Sequence, residues 1–168
     1  MPEDKIAPRI ILAKKLAKEL IEELGILEPP ILLNSIIPFL KNKYSLEVYK
    51  WNLGDKTDGI QIDNNGKPVI GYNDNKNLYR QRFTVAHEIG HMILGHTTSH
   101  VYLDSDSNKP EELEANQFAA ELLMPTNMLK NDISNGQKDM KVLASKYIVS
   151  DEALWHKIIN EKLIKNIS

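Results

Sequence analysis

Residues 82–95 read Arg82-Phe83-Thr84-Val85-Ala86-His87-Glu88-Ile89-Gly90-His91-Met92-Ile93-Leu94-Gly95. A helical pattern runs from Tyr79 to about Leu94 and stops at Gly95, where a C-terminal cap belongs. On such a helix His87 and His91 share one face, close enough to grip one ion. Glu88 is one step round from His87. It cannot easily join the same coordination sphere, but it can reach a water held by the ion, as in the H-E-x-x-H arrangement. Zinc lowers the pKa of such a water toward neutrality, and the glutamate takes the proton, so that a carbonyl can be attacked. Val85, Ala86, Ile89, Met92, Ile93 and Leu94 mark the helix as largely buried. Buried imidazoles and a buried carboxylate need compensation, and a metal supplies it. Gly90 removes bulk between the two histidines at a cost of about 1 kcal/mol in helix propensity relative to alanine.

A catalytic zinc needs a third protein ligand and one open position. His96, His100, Glu111, Glu112, Glu114 and Glu121 are the candidates. A longer zinc pattern, with glycine at 94 and histidine at 97, fails: Leu94 and Thr97 stand there, and Gly95 and His96 are one place out of register. Glu114 fits better, because a carboxylate beside Leu113, Ala115 and Phe118 needs a partner or a metal if buried. Glu111 and Glu112 follow Pro110 directly and suit a helix first turn. Glu121 suits a supporting role, orienting a histidine. Tyr72, His96, His100 and Tyr102 are the candidates for stabilising an oxyanion.

Toward the N-terminus, Ile6 to Leu24 carries apolar residues at helical spacing and ends at Gly25. Pro29-Pro30 breaks the chain, and a short helix containing Pro38 follows toward Lys43. Leu46 to Trp51 alternates, and Gly59–Asp63 and Lys67–Tyr72 flank Asn64-Asn65-Gly66, a hairpin signal. A small, mostly antiparallel sheet is expected, and the strand ending at Val69-Ile70-Gly71-Tyr72 is either an edge able to pair with an extended substrate or simply a core strand. Thr97 to Lys109 reads as a loop. Pro110 opens a helix to Met124-Pro125, and further helices span Asp139–Tyr147 and Asp151–Ile164. The last pair resembles a helix-turn-helix capped by Ser150, but Asp151 and Glu152 at its would-be reading helix would repel phosphate. It is read as packing or substrate docking. The expected organisation is a domain over residues 1–131 and a C-terminal helical extension over 132–168.

The chain of 168 residues has 42% hydrophobic and 26% charged residues and a net charge of −2. That balance suits a globular fold and gives no electrostatic reason to expect nucleic acid or a membrane as partner. The absence of cysteine excludes disulfides, thiolate metal sites and a cysteine nucleophile. A metal site must use imidazole, carboxylate and water, a set that suits zinc, manganese or iron. The charged N-terminus lacks the features of a signal peptide, so a cytoplasmic setting is expected.

Arg82 to His91 followed by Glu114-Ala115-Asn116-Gln117-Phe118-Ala119-Ala120-Glu121-Leu122-Leu123-Met124-Pro125 resembles the ImmA/IrrE family of metallopeptidases. The resemblance implies a zincin-like α+β fold, with His87, His91 and Glu114 as zinc ligands and Glu88 catalytic. It also implies a regulatory protease whose protein substrate is a helix-turn-helix repressor. The alternative is a metal-containing binding module that sequesters a repressor without cutting it.

Overall fold

The computed structural model describes residues 6–96, 100–102 and 108–166. Their elements run α1 (Ile10–Glu23), α2 (Leu33–Tyr44), β1 (Glu47–Trp51), β2 (Gly59–Asn64), β3 (Lys67–Asn73), α3 (Leu78–Ile93), β4 (His100–Tyr102), α4 (Pro110–Leu123), α5 (Thr126–Ser134), α6 (Met140–Tyr147) and α7 (Asp151–Asn160), with a short 3-10 turn at Ile164–Asn166. The fold is α+β, as the sequence pattern indicates.

The sheet has the order β1-β3-β2-β4. The hairpin forms as expected, β2 lying antiparallel to β3 with Asn64 opposite Lys67. Asn65 and Gly66, at φ 53° and 80°, supply the left-handed turn. β4 adds to β2 antiparallel, and β1 adds to β3 parallel, so the sheet is mixed. Two consequences bear on the sequence reading. Of the two readings of β3, the core strand holds: it lies inside the sheet between β1 and β2 and offers no edge to a substrate. The segment read as a loop after Thr97 contains the edge strand β4, placed beside β2 with Ile60 opposite Val101.

Helix α3 packs between the sheet and α4, and α1 lies along α4. Ile70 of β3, Ile89 of α3, Phe118 and Leu122 of α4, and Ala13 and Ala17 of α1 meet in one buried core. The space for these contacts depends on missing side chains. A Cβ on Gly90 would stand 3.0 Å from Phe118 Cδ1, so glycine here lets α4 approach the histidine-bearing turn of α3. A Cβ on Gly59 would meet Thr84 Cγ2 at 2.5 Å and the Gly71 carbonyl oxygen at 3.2 Å, and would lie 3.6 Å from Glu88 Cγ. Strand β2 therefore presses onto the face of α3 that carries Glu88.

Pro110 occupies the first turn of α4, and Ser150 Oγ accepts the Ala153 N–H at 3.1 Å to cap α7. The end of α3 determines the geometry behind the site. Gly95, at φ 70°, donates its N–H to the Met92 carbonyl, and His96 donates its N–H to the His91 carbonyl at 3.0 Å. This Schellman closure turns the chain back, so that the residue after the glycine faces the last turn of the helix.

Candidate metal centre

Residues 84–91 of α3 are all buried. The two histidines of the motif are four apart, and their Nε2 atoms lie 3.0 Å from each other. Glu112 of α4 reaches the same point: one carboxylate oxygen is 3.0 Å from His87 Nε2 and the other is 3.2 Å from His91 Nε2. A ligand atom from each of the three residues falls within 4.8 Å of the others. The third carboxylate beside the histidines is thus Glu112, where the sequence reading placed Glu114. The reason is helical phase. Glu114 is turned roughly 200° round α4 from Glu112, so it meets Arg9, just ahead of α1, and His96, just past α3, instead of the two motif histidines. Asn116, four residues beyond Glu112, shares its face and holds His87 Nδ1 at 2.8 Å.

The proton positions around the two rings follow from their partners. Asn116 Oδ1 accepts, so His87 Nδ1 carries a proton and its Nε2 presents a lone pair. His96 Nε2 donates to the Glu114 carboxylate at 2.8 Å, which leaves His96 Nδ1 as an acceptor. His91 Nδ1, 2.7 Å from that atom, then donates, and His91 Nε2 also presents a lone pair. Two imidazole lone pairs and a carboxylate therefore converge in a buried space. Such a set of acceptors repels itself unless a cation lies among them, and it matches the two-histidine, one-carboxylate donor set of catalytic zinc sites. The residues present fit a divalent metal ion.

Glu88 is fully buried one step along α3. His96 and Glu114, read respectively as an oxyanion donor and a ligand, stand behind His91. Glu114 is further held by Arg9, whose backbone N–H donates at 2.9 Å and whose guanidinium donates to both carboxylate oxygens. Burial alone would raise the Glu114 pKa, but the hydrogen bonds from Arg9 and His96 outweigh it and bring it down to about 2. Glu121, expected to orient a histidine, instead accepts the Thr126 N–H at 3.0 Å and its hydroxyl at 2.6 Å, tying down the start of α5, and pairs with Lys157. Tyr72 is partly buried against the core. The side chains of His100 and Tyr102 lie outside the described residues. Two groups escaped the sequence reading: Gln61 Oε1 on β2 and Thr84 Oγ1 on α3 are buried and find no hydrogen-bond partner among the described residues. Thr84 precedes Glu88 by one helical turn, a spacing that could have drawn attention to it.

An α+β domain that carries H-E-x-x-H on a buried helix, with a carboxylate from a second helix closing on both imidazoles, belongs to the metal-binding, protease-like class. More particularly, the chain belongs to the Peptidase_M78 family, the IrrE N-terminal-like domain, whose profile matches residues 42–158. Among solved structures it is similar to a Mycobacterium tuberculosis transcriptional regulator, at 15% identity and a TM-score of 0.65 over 87% of this chain and 46% of that one. The chain thus spans about half the length of that regulator, and the likeness is one of fold. No curated protein matches the chain. Among the described residues no helix is long and apolar enough to cross a membrane.

Proposed function

We propose that this protein is a zinc-dependent endopeptidase, held by His87, His91 and Glu112, with Glu88 as general base. The observation that carries the reading is the convergence of two Nε2 lone pairs and the Glu112 carboxylate beside a fully buried Glu88. When bound, zinc acts as a Lewis acid toward a substrate carbonyl and acidifies water. Glu88 accepts the proton of the attacking water and delivers it to the leaving amine. Asn116 and His96 fix the tautomers of the two ligand histidines, so each ring keeps its lone pair toward the ion. As one of the sheet's two edge strands, β4 suits pairing with an extended peptide backbone.

The substrate we propose is a helix-turn-helix repressor cut at few positions in the cytoplasm. Family membership and a structural neighbour named as a transcriptional regulator support a regulatory setting. The test uses zinc-loaded protein and a library of native peptides and intact repressors from the host cell, read by mass spectrometry for new N-termini. Wild type is expected to create a small set of new termini, with at least a 100-fold loss in Glu88→Gln at unchanged zinc content. Metal content should fall from about one ion per chain to nearly none in Glu112→Ala. Captured but uncut repressor with zinc-loaded wild type would instead support the sequestering module.

A further inference from the structure

On the metal reading above, we propose that Arg9, Glu114 and His96 form a positioning relay that sets the zinc affinity of the site through His91, coupling it to the seating of helix α1. Four hydrogen-bonded groups stand in series. Arg9 holds both oxygens of Glu114, at 2.8 Å from Nη2 to Oε2 and 2.9 Å from the backbone N–H to Oε1. Glu114 Oε2 accepts from His96 Nε2 at 2.8 Å, and His96 Nδ1 accepts from His91 Nδ1 at 2.7 Å. The far nitrogen of His91 is the one that meets Glu112 and His87.

Each link has one direction. A carboxylate only accepts, so His96 Nε2 must donate to it, and His96 must then accept from His91. The carboxylate thus dictates, across one intervening ring, that His91 carries its proton on Nδ1. A metal-ligating histidine commonly gives its other N–H to an oxygen acceptor, which fixes the ring and raises its basicity. Here a second imidazole is interposed between ligand and carboxylate. Glu114 and His96 side chains are each only 4% exposed, so water does not easily replace a lost link.

The relay ends on a different element from the one it serves. Arg9 precedes α1, and its guanidinium also donates to the Leu94 carbonyl at the end of α3 at 3.3 Å. It lies outside residues 42–158, the span that the family profile matches. The backbone N–H of Arg9 is pinned by the same carboxylate, so displacement of the start of α1 breaks the backbone and guanidinium bonds to Glu114 together. The side chain of Arg9 is 49% exposed, so this end of the relay is open to replacement without disturbing the core.

The test measures zinc affinity by chelator competition on the full-length protein, with thermal unfolding of the zinc-free form as the check on folding. The variants are Arg9→Met, Glu114→Gln, His96→Ala and the Glu114→Gln/His96→Ala pair. We expect roughly 10- to 100-fold weaker zinc binding for His96→Ala and Glu114→Gln, and a smaller loss for Arg9→Met. The double variant should bind zinc no more weakly than His96→Ala alone, because links in series are not additive. A purely structural role would give additive losses or none. Zinc affinity within twofold of wild type in folded Glu114→Gln and Arg9→Met, or additive losses in the pair, overturns the relay while leaving the metal site intact. A wild type that fails to bind zinc overturns both.

Discussion

At the scale of single residues, the site depends as much on absent side chains as on present ones. Gly59 lets β2 lie against Thr84 and Glu88, and the added methyl of Gly59→Ala would be trapped between Thr84 Cγ2 and the Gly71 carbonyl. Neither is the free end of a flexible chain. Such overpacking costs about 1–3 kcal/mol and must move α3 or β2 at the level of Glu88. His87, His91 and Glu112 make their mutual contacts on the α4 side of α3. The expected result for Gly59→Ala is a 10-fold or greater loss of peptide cleavage with zinc affinity changed less than threefold, measured on the same preparation. Equal losses in both would mean that β2 supports His87, His91 and Glu112 as well as Glu88. The choice between Glu112 and Glu114 belongs to this scale too. Apolar neighbours in sequence pointed to Glu114 as a buried carboxylate of α4, but Glu112 and Glu121 are buried as well. Which of them faces α3 depends on helical phase relative to a partner helix, and composition around a residue does not contain that phase. Its place in the i, i+4 pair Glu112–Asn116 was the available signal.

At the scale of elements, the first helix is fastened at two points, by Arg9 to α4 and by Lys14 to the end of α7. Lys14 Nζ lies 2.6 Å from Glu161, which also pairs with the buried Lys157 at 3.3 Å. Burial pushes the Glu161 pKa up, but Lys14 and Lys157 outweigh it, and the carboxyl is held below its ordinary value of 4.5. A depressed carboxylate stabilises the fold fully above its unfolded-state pKa, and that contribution is lost as pH falls through the lower folded value. Glu161→Gln should therefore destabilise the zinc-free protein by about 1 kcal/mol at pH 7 in denaturant titrations. The gap to wild type should close as pH falls below about 4.5. A gap that persists unchanged at pH 3 would assign the effect to packing. The legibility of elements follows the same division between local and distant forces. Helices α1, α3, α4, α6 and α7 and the β2–β3 hairpin were readable, because amphipathic period, caps and turn residues are local. The strand β4 was not. It is three residues long, too short for an alternating pattern, and exists through its pairing with β2. The parallel addition of β1 to β3 likewise comes from a crossover that no turn sequence encodes, and it places β3 in the interior.

At the scale of the whole molecule, the question is whether residues 132–168 are an extension or part of one folding unit. Leu143, Tyr147, Leu154 and Ile158 are buried in the same cluster as Ile89 and Phe118 beside the candidate metal centre. Arg82 of α3, losing solvation by burial, donates to the Ile148 carbonyl at 3.1 Å and to the Ile31 carbonyl at 2.9 Å. It thereby joins the α6–α7 turn to the site helix and to the link before α2. Lys157 of α7 is only 4% exposed and pairs with the fully buried Glu121 of α4. Removing α6 and α7 would leave Arg82 and Glu121 without these partners and expose the apolar side chains beneath. The cost of a broken buried ion pair alone is about 3–5 kcal/mol, comparable with the whole stability of many domains. The chain is therefore expected to unfold in one calorimetric transition with matching calorimetric and van't Hoff enthalpies. A fragment of residues 1–131 should lack cooperative unfolding and bind zinc at least 100-fold more weakly, since metal affinity at a preformed site requires the fold that preforms it. If that fragment instead melts cooperatively and retains wild-type zinc affinity, the boundary at residue 131 separates two units that fold on their own, and the last two helices are free to serve a partner.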